Sequence, residues 1–291
     1  MIVPPHILEI KKVLRRMRGG SQAFLIESEE GSYVAKFSKN PQGTRTLINE
    51  CIATKVLQRL GVSTPDLVIL RLTEKVRNEA DLCFQISGRR IPVEPGLHLG
   101  SRCPVDPLKK SVFDFMPRKL LSNVINLSDF GTAFVVDKLL GNTDRRQAIF
   151  VRERNAGGNL AFRAYCIDHG LAFAGSRWEI FDWPGNGHYI DKDVYSMFNM
   201  HAVCAAALEG LAKINEDDWL SFSAEIPETW FSDEDYDVLV TLFATVQMRI
   251  GNLESILSRH VLGLKLGIPQ AIDNETGPDG DIQGEVLPAI C

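Results

Sequence analysis

The feature that most constrains the fold is a pair of apolar strands with an aspartate beside each outer end. Residues 146–153 and 160–167 flank a glycine-containing turn at 155–159, a pattern typical of a β-hairpin. Asp144 stands just before the first run and Asp168 just after the second. Because the outer ends of an antiparallel hairpin lie side by side, we expect the two carboxylates to meet at one rim.

Two carboxylates on adjoining loops suit phosphoryl transfer from a magnesium nucleotide. One carboxylate orients or deprotonates the attacking hydroxyl, and the other holds the metal. The first loop, residues 141–146, follows the end of a predicted helix and places Arg145 and Arg146 beside Asp144. The second loop begins at Asp168 and continues with His169 and a glycine. This chemistry predicts that a phosphate-binding loop and a lysine occur elsewhere in the chain.

A glycine-led loop, Gly19-Gly20-Ser21-Gln22, precedes a second predicted hairpin with strands at 23–27 and 33–37. Strand alternation places Val34, Lys36 and Ser38 on one face and Tyr33, Ala35 and Phe37 on the other. Lys36 is a cation within a short apolar strand. It belongs either to a solvent-exposed strand face or to a site that grips nucleotide phosphates.

A helix is predicted over residues 44–60, with Thr44 at the N-cap and Gly61 at the end. Glu50 lies in this helix. Most helix glutamates are solvated, but in kinases the helix after the lysine strand presents one glutamate to that lysine.

The middle of the chain predicts a connection between two lobes. Residues 111–117 form a short predicted strand ended by Pro117, whose free backbone groups would suit an adenine edge; a plain edge strand is the alternative. Residues 88–107, rich in Gly, Pro and Arg, are predicted to be a loop. Beyond 117 the periodicity is helical, with helices predicted at 128–140, 191–215, 217–224 and 233–262.

Bulk properties exclude several classes of protein. The chain has 291 residues, enough for one large domain or two lobes, and its net charge of −5 argues against general nucleic-acid binding. It contains no stretch of eighteen apolar residues, so no transmembrane helix is expected, and it begins without the apolar core of a signal peptide. Six cysteines without a C-x-x-C pair predict reduced thiols in a cytoplasmic protein.

In this order the motifs resemble the kinase portion of HipA-type toxins, a HipA-like group similar to protein and phosphatidylinositol kinases. The residues that carry the resemblance are Gly19–Gln22, Val34–Lys36, Glu50, Phe113–Pro117, Asn142–Arg146 and Ile167–Gly170. It implies an α+β, bilobal protein-kinase-like fold. The N-lobe would span 1–116 on an antiparallel sheet and the mostly helical C-lobe 117–265. Residues 266–291 form an acidic tail that is predicted to be disordered.

The resemblance also implies ATP and Mg as cofactors. Asp144 would be the catalytic aspartate, with Arg146 beside it, and Asp168 the metal ligand. The residues implied to bind the nucleotide are Gly20, Ser21, Gln22, Lys36, Glu50, Phe115 and Met116. The expected substrate is a Ser/Thr hydroxyl of a protein, the chain itself included, and the expected partner is an antitoxin-like protein. No nucleic-acid or membrane contact is expected.

One position departs from the family pattern. Kinases of this kind usually place a metal-binding asparagine five residues after the catalytic aspartate, where this chain has Ile149. Gln147 is the implied substitute because it offers an amide oxygen, and Asn142 is a further candidate. Two alternatives therefore stay open: a small-molecule kinase on the same fold, and a nucleotide-binding pseudokinase without turnover.

Overall fold

The chain is described here by a computed structural model covering residues 6–258, which is an α+β fold. Its strands are β1 (Ile7–Glu9), β2 (Lys12–Arg16), β3 (Phe24–Ser28), β4 (Gly31–Lys36), β5 (Leu67–Leu72), β6 (Cys83–Ile86), β7 (Arg89–Pro92), β8 (Gly96–Arg102), β9 (Val112–Phe113), β10 (Gln147–Arg154) and β11 (Leu160–Ile167). Its helices are α1 (Arg45–Arg59), α2 (Glu74–Glu79), α3 (Arg118–Leu121), α4 (Ser128–Leu139), α5 (Met200–Ala212), α6 (Glu216–Ser223) and α7 (Asp235–Ile250). None of these helices is long and apolar enough to cross a bilayer.

The first part of the chain forms a six-stranded sheet in the order β1-β5-β8-β4-β3-β2, in which only the β1–β5 pair is parallel. Strand β4 of the β3–β4 hairpin confirms the alternation predicted for residues 33–38. Tyr33, Ala35 and Phe37 are fully buried on one face, where residues of the β6–β7 hairpin cover them. Val34 and Lys36 lie on the opposite face, which points toward the rest of the molecule.

The prediction of a loop over 88–107 is wrong, because β7 and β8 lie within it. β8 is a central strand, bonded to β5 on one side and β4 on the other. Its Gly100 has no room for a side chain, since a Cβ there would lie 2.7 Å from the side chain of Leu70. The glycine that suggested a turn instead allows close packing across the sheet.

The helices correct several predicted boundaries. Thr44 precedes α1 but its hydroxyl accepts the Lys39 N–H at 3.0 Å instead of capping the helix. The helix predicted over 191–215 is a 3-10 turn at Lys192–Ser196 followed by α5, whose N-cap is Asn199. The helix predicted over 233–262 is interrupted: α7 ends at Ile250, residues 253–258 are helical again after a turn, and residues 259–262 lie outside the described residues.

A second sheet has three strands in the order β11-β10-β9. Its edge strand β9 lies in the segment predicted to connect two lobes, has only two residues and pairs with β10. Ile149 and Val151 of β10 share an apolar cluster with Leu25 of β3, so the two sheets meet there. Helix α1 and helices α3 to α7 form the main core, whereas α2 contributes no buried residue to it. The boundary at 116 stays a prediction, and the acidic tail at 266–291 lies outside the described residues.

Candidate active site

Lys36, at the end of β4, contacts its implied partner Glu50 and also Asp168, the implied metal ligand. Its Nζ donates to Glu50 Oε2 of α1 at 3.0 Å and to Asp168 Oδ1 at 2.8 Å. The Lys36 side chain is only 14% exposed. A buried ammonium is costly unless it is paired, and here two carboxylates pair it. The interpretation of Lys36 as a cation on a solvent-exposed strand face is therefore wrong.

Lys36 and Asp168 favour each other's charged forms, whereas burial and the nearby Asp168 carboxylate raise the pKa of Glu50. Burial would lower the pKa of Lys36, but the carboxylates of Asp168 and Glu50 outweigh it and raise that pKa above its ordinary value. Lys36 in turn lowers the pKa of Asp168. At neutral pH the site therefore holds a cationic lysine beside an ionised aspartate, the charge states that phosphate and magnesium require.

The two aspartates meet at one rim, as the hairpin predicted. Gln147 Nε2 lies 3.1 Å from Asp144 Oδ2 and 3.2 Å from Asp168 Oδ2, so one amide bridges both carboxylates. The register of the hairpin explains the meeting, because Gln147 pairs with Ile167, the residue before Asp168. Asp168 itself has a left-handed backbone, with φ of 58°, a conformation that occurs often at functional sites.

These residues fit a magnesium ion. The Asp168 side chain is 37% exposed, and the Gln147 amide occupies the space between two anionic oxygens. Turning that amide over would present its oxygen instead of its nitrogen. Residues 6–258 contain no cluster of three or more His, Cys, Asp or Glu side chains suited to a metal. Magnesium bound by one or two carboxylates and substrate phosphates needs no such cage.

Asn142 is a supporting residue in this structure. Its Oδ1 accepts the Asp144 N–H at 3.0 Å, and its Nδ2 donates to Asp137 Oδ1 at 2.8 Å. Both ends of the buried amide are engaged, so Asn142 shapes the loop that carries Asp144. Ile149 packs in the apolar cluster between the sheets and offers no ligand atom.

Arg146 is buried, which favours a supporting role over the predicted catalytic one. Its guanidinium pairs with Asp137 and donates to the Ile167 carbonyl at 3.1 Å. It also contacts His169 Nδ1 at 2.6 Å. Burial and the nearby Arg146 keep the pKa of His169 well below its ordinary value, so this ring is neutral. Arg146 thus ties the Asp168 loop to α4, while the side chain of Arg145 is exposed beside Asp144.

The glycine-led loop connects β2 to β3 and is tied to the β6–β7 hairpin. The Gln22 side chain accepts the Gln85 N–H at 2.8 Å and donates to the Gln85 carbonyl at 2.7 Å. The backbone N–H of Gln22 donates to Gly19 O at 3.2 Å. Of the three amides implied to cover phosphates, that of Gln22 is therefore engaged within the loop, and the roles of Gly20 and Ser21 stay predictions.

Phe115 and Met116, in the segment predicted to connect two lobes, differ in exposure. Phe115 is 53% exposed, whereas Met116 is 1% exposed and packs in the main core. Only the backbone of Met116 is therefore suited to meet an adenine.

Sequence reasoning missed the apolar wall next to Lys36, which is the apolar cluster between the two sheets that contains Leu25, Ile149 and Val151. Its partly buried members are Leu14, Met17, Val34, Val105, Tyr165 and Ile167. The signal was present, since Val34 shares a strand face with Lys36.

Comparisons with known proteins show the family and the fold of the chain. A family model described as HipA-like kinase matches residues 10–260. The chain belongs to the HipA-like kinase family. Among solved structures, the crystal structure of a Helicobacter pylori proinflammatory kinase, CtkA, aligns with a TM-score of 0.53 and 15% sequence identity. That alignment covers 90% of this chain and 100% of the other, and it confirms the kinase-like fold. No curated protein sequence matches the chain.

Proposed function

We propose that this HipA-like kinase transfers a phosphoryl group from Mg·ATP to a Ser/Thr hydroxyl of a protein, the chain itself included. The observation that carries the proposal is the joint contact of Lys36 with Glu50 and Asp168. Asp144 lies at the same rim, one amide away from Asp168. A lysine, a metal-binding carboxylate and a second carboxylate near the acceptor are the parts that phosphoryl transfer needs.

Each side chain has a distinct part in this proposal. Lys36 would bind the phosphates, and Glu50 keeps its ammonium oriented. Asp144 accepts the proton of the attacking hydroxyl or orients it. Asp168, with Gln147 beside it, would hold magnesium, which would neutralise charge at the phosphates. The apolar wall between the sheets suits the adenine ring.

The direct test is phosphate incorporation. Purified protein is incubated with Mg·ATP, alone and with a cell lysate, and the products are measured by intact mass and phosphosite mapping. We expect a gain of one or more phosphates on Ser or Thr, and loss of that gain in Asp144→Asn. If wild type and Asp144→Asn give the same unmodified masses, the proposal fails.

Two alternatives have their own measurements. Burial of Ile149, where the family pattern has a metal-binding asparagine, favours a pseudokinase that binds nucleotide without turnover. A rise in melting temperature with Mg·ATP but no ADP release would favour it, because a ligand stabilises the state that it binds. A small-molecule kinase would release ADP with a metabolite hydroxyl instead of a protein. The antitoxin-like partner and the cytoplasmic location stay predictions.

A further inference from the structure

One buried side chain of α1 holds the segment that follows Asp168. Asn49 is fully buried, next to Glu50. Its Nδ2 meets three backbone carbonyls: Gly170 at 2.9 Å, Ala172 at 2.8 Å and Gly175 at 3.0 Å. Its Oδ1 accepts the indole N–H of Trp178 at 2.7 Å. Carbonyls only accept and an indole N–H only donates, so the orientation of this amide is fixed by its partners.

The segment that Asn49 holds has an unusual backbone. Phe173, Ala174 and Gly175 have consecutive φ values of 54°, 53° and 66°, and Trp178 has 55°. Residues other than glycine avoid this left-handed region and stay in it only where the surroundings enforce it. The converging carbonyls are buried and need donors. Asn49 supplies that donor, and its shared contacts fix the shape of residues 169–178.

The same segment contacts both parts of the candidate site. The His169 N–H donates to Glu50 Oε2 at 2.8 Å, which places the start of the segment against the lysine–glutamate pair. The Thr143 N–H donates to Leu171 O at 3.1 Å, next to Asp144. A change in the conformation of residues 169–178 would therefore affect both the Asp168 loop and the Asp144 loop.

We propose that Asn49 is a positioning residue, which fixes residues 169–178 to α1 so that Glu50 and Asp168 both meet Lys36. We call the contacts that Asn49 makes with this segment the clamp, and they are a property of the fold. The effect of the clamp on phosphoryl transfer rests on the proposed function. Asn49 touches no group that would react, so it acts through Glu50 and the segment. A clamp of this kind is expected to tune the affinity for Mg·ATP, because Lys36 and Asp168 are the groups that would bind it.

The test compares Asn49→Ala with Thr54→Ala. Thr54 is the matched control, since it is buried on the same helix but lines a cavity with Cys51 and Lys55 that includes none of residues 169–178. Three readouts are measured in the full chain: hydrogen exchange of residues 169–178, the indole N–H resonance of Trp178 assigned with Trp178→Phe, and the KM for Mg·ATP. For Asn49→Ala we expect at least tenfold faster exchange, a shifted indole resonance and at least a tenfold higher KM. Thr54→Ala should change none of the three.

The outcomes separate the clamp from the proposed function. Wild-type exchange and an unshifted indole resonance in folded Asn49→Ala would overturn the clamp. Faster exchange with an unchanged KM would overturn its link to nucleotide binding. If Asn49→Ala does not fold, as judged by circular dichroism, Asn49→Ser is measured in the same way. If wild type shows no turnover of Mg·ATP, the proposed function fails, and exchange and the indole resonance still decide whether Asn49 holds the segment.

Discussion

At the residue scale, the amide of Gln147 gives the sharpest prediction about activity. Gln147→Leu keeps much of the shape but removes the group that bridges Asp144 and Asp168. We expect the turnover of Mg·ATP to fall at least about tenfold, a barrier increase of about 1.4 kcal/mol. Gln147→Glu supplies an oxygen ligand and should retain magnesium-dependent turnover. ADP release as a function of magnesium concentration measures both. Wild-type turnover in Gln147→Leu would remove Gln147 from the site.

The stability of Ile149 variants tests whether this side chain packs in the apolar wall or stands at a metal-ligand position. The side chain is buried among apolar neighbours, so Ile149→Asn would bury an amide without a designed partner. We expect the free energy of unfolding to fall by about 1–3 kcal/mol. Ile149→Val should cost about 0.5–1.5 kcal/mol. Urea denaturation measures both. If Ile149→Asn were as stable as Ile149→Val and turned over Mg·ATP faster, this position would face the metal instead of the wall.

Single residues also show how far the sequence could predict this site. Asp144 and Asp168 were placed together because hairpin pairing is local and follows from alternation and turn residues. Arg146 and Asn49 were harder, because the sequence does not tell whether a polar side chain faces solvent or a buried partner. The partner of Arg146 is Asp137, and those of Asn49 lie more than a hundred positions away. Such contacts depend on tertiary packing, which no local pattern records.

At the scale of elements, the packing around β8 leads to a prediction about Gly100. A Cβ on Gly100 would meet the side chains of Leu70 and Val68 at 2.7 and 2.9 Å. We expect Gly100→Val to lower the free energy of unfolding by about 1–3 kcal/mol through overpacking. Gly185→Ala is the control, since a Cβ there meets nothing within 4 Å. Urea midpoints measure both. Equal midpoints for Gly100→Val and wild type would show that the sheet opens at β8 without cost.

The same strand explains which elements the sequence could not predict. β4 alternates in burial, β3 is a short apolar run, and a polar turn joins them, so the sequence pattern and the turn residues both indicate a hairpin. β8 contains two glycines and a buried histidine, His98, residues that are uncommon in the middle of a strand. It exists because β4 and β5 pair with it on both sides. A strand that depends on pairing with its neighbours can be predicted only when the positions of those neighbours are known.

At the scale of the whole molecule, buried neutral histidines make stability depend on pH. His98 is 1% exposed; its Nδ1 accepts the Ser38 N–H at 3.0 Å, and its Nε2 lies 3.1 Å from Glu94 O. Burial lowers its pKa to about 4. His169 is buried in the same neutral form. Protonation of His98 Nδ1 would remove the acceptor of the Ser38 N–H, so the folded state disfavours protonated His98.

The sign of this pH effect follows from where the proton binds. An unfolded histidine has a pKa of about 6.5, so below that pH the unfolded chain takes up protons that folded His98 refuses. Stability is therefore complete above pH 6.5 and is lost as the pH falls toward 4. At pH 5, His98 alone should cost about 2 kcal/mol. Urea denaturation of wild type and His98→Gln at pH 7, 6 and 5 isolates this contribution, because the variant cannot titrate there. Wild type should lose about 2 kcal/mol more than the variant by pH 5, and parallel curves would contradict a neutral, buried His98.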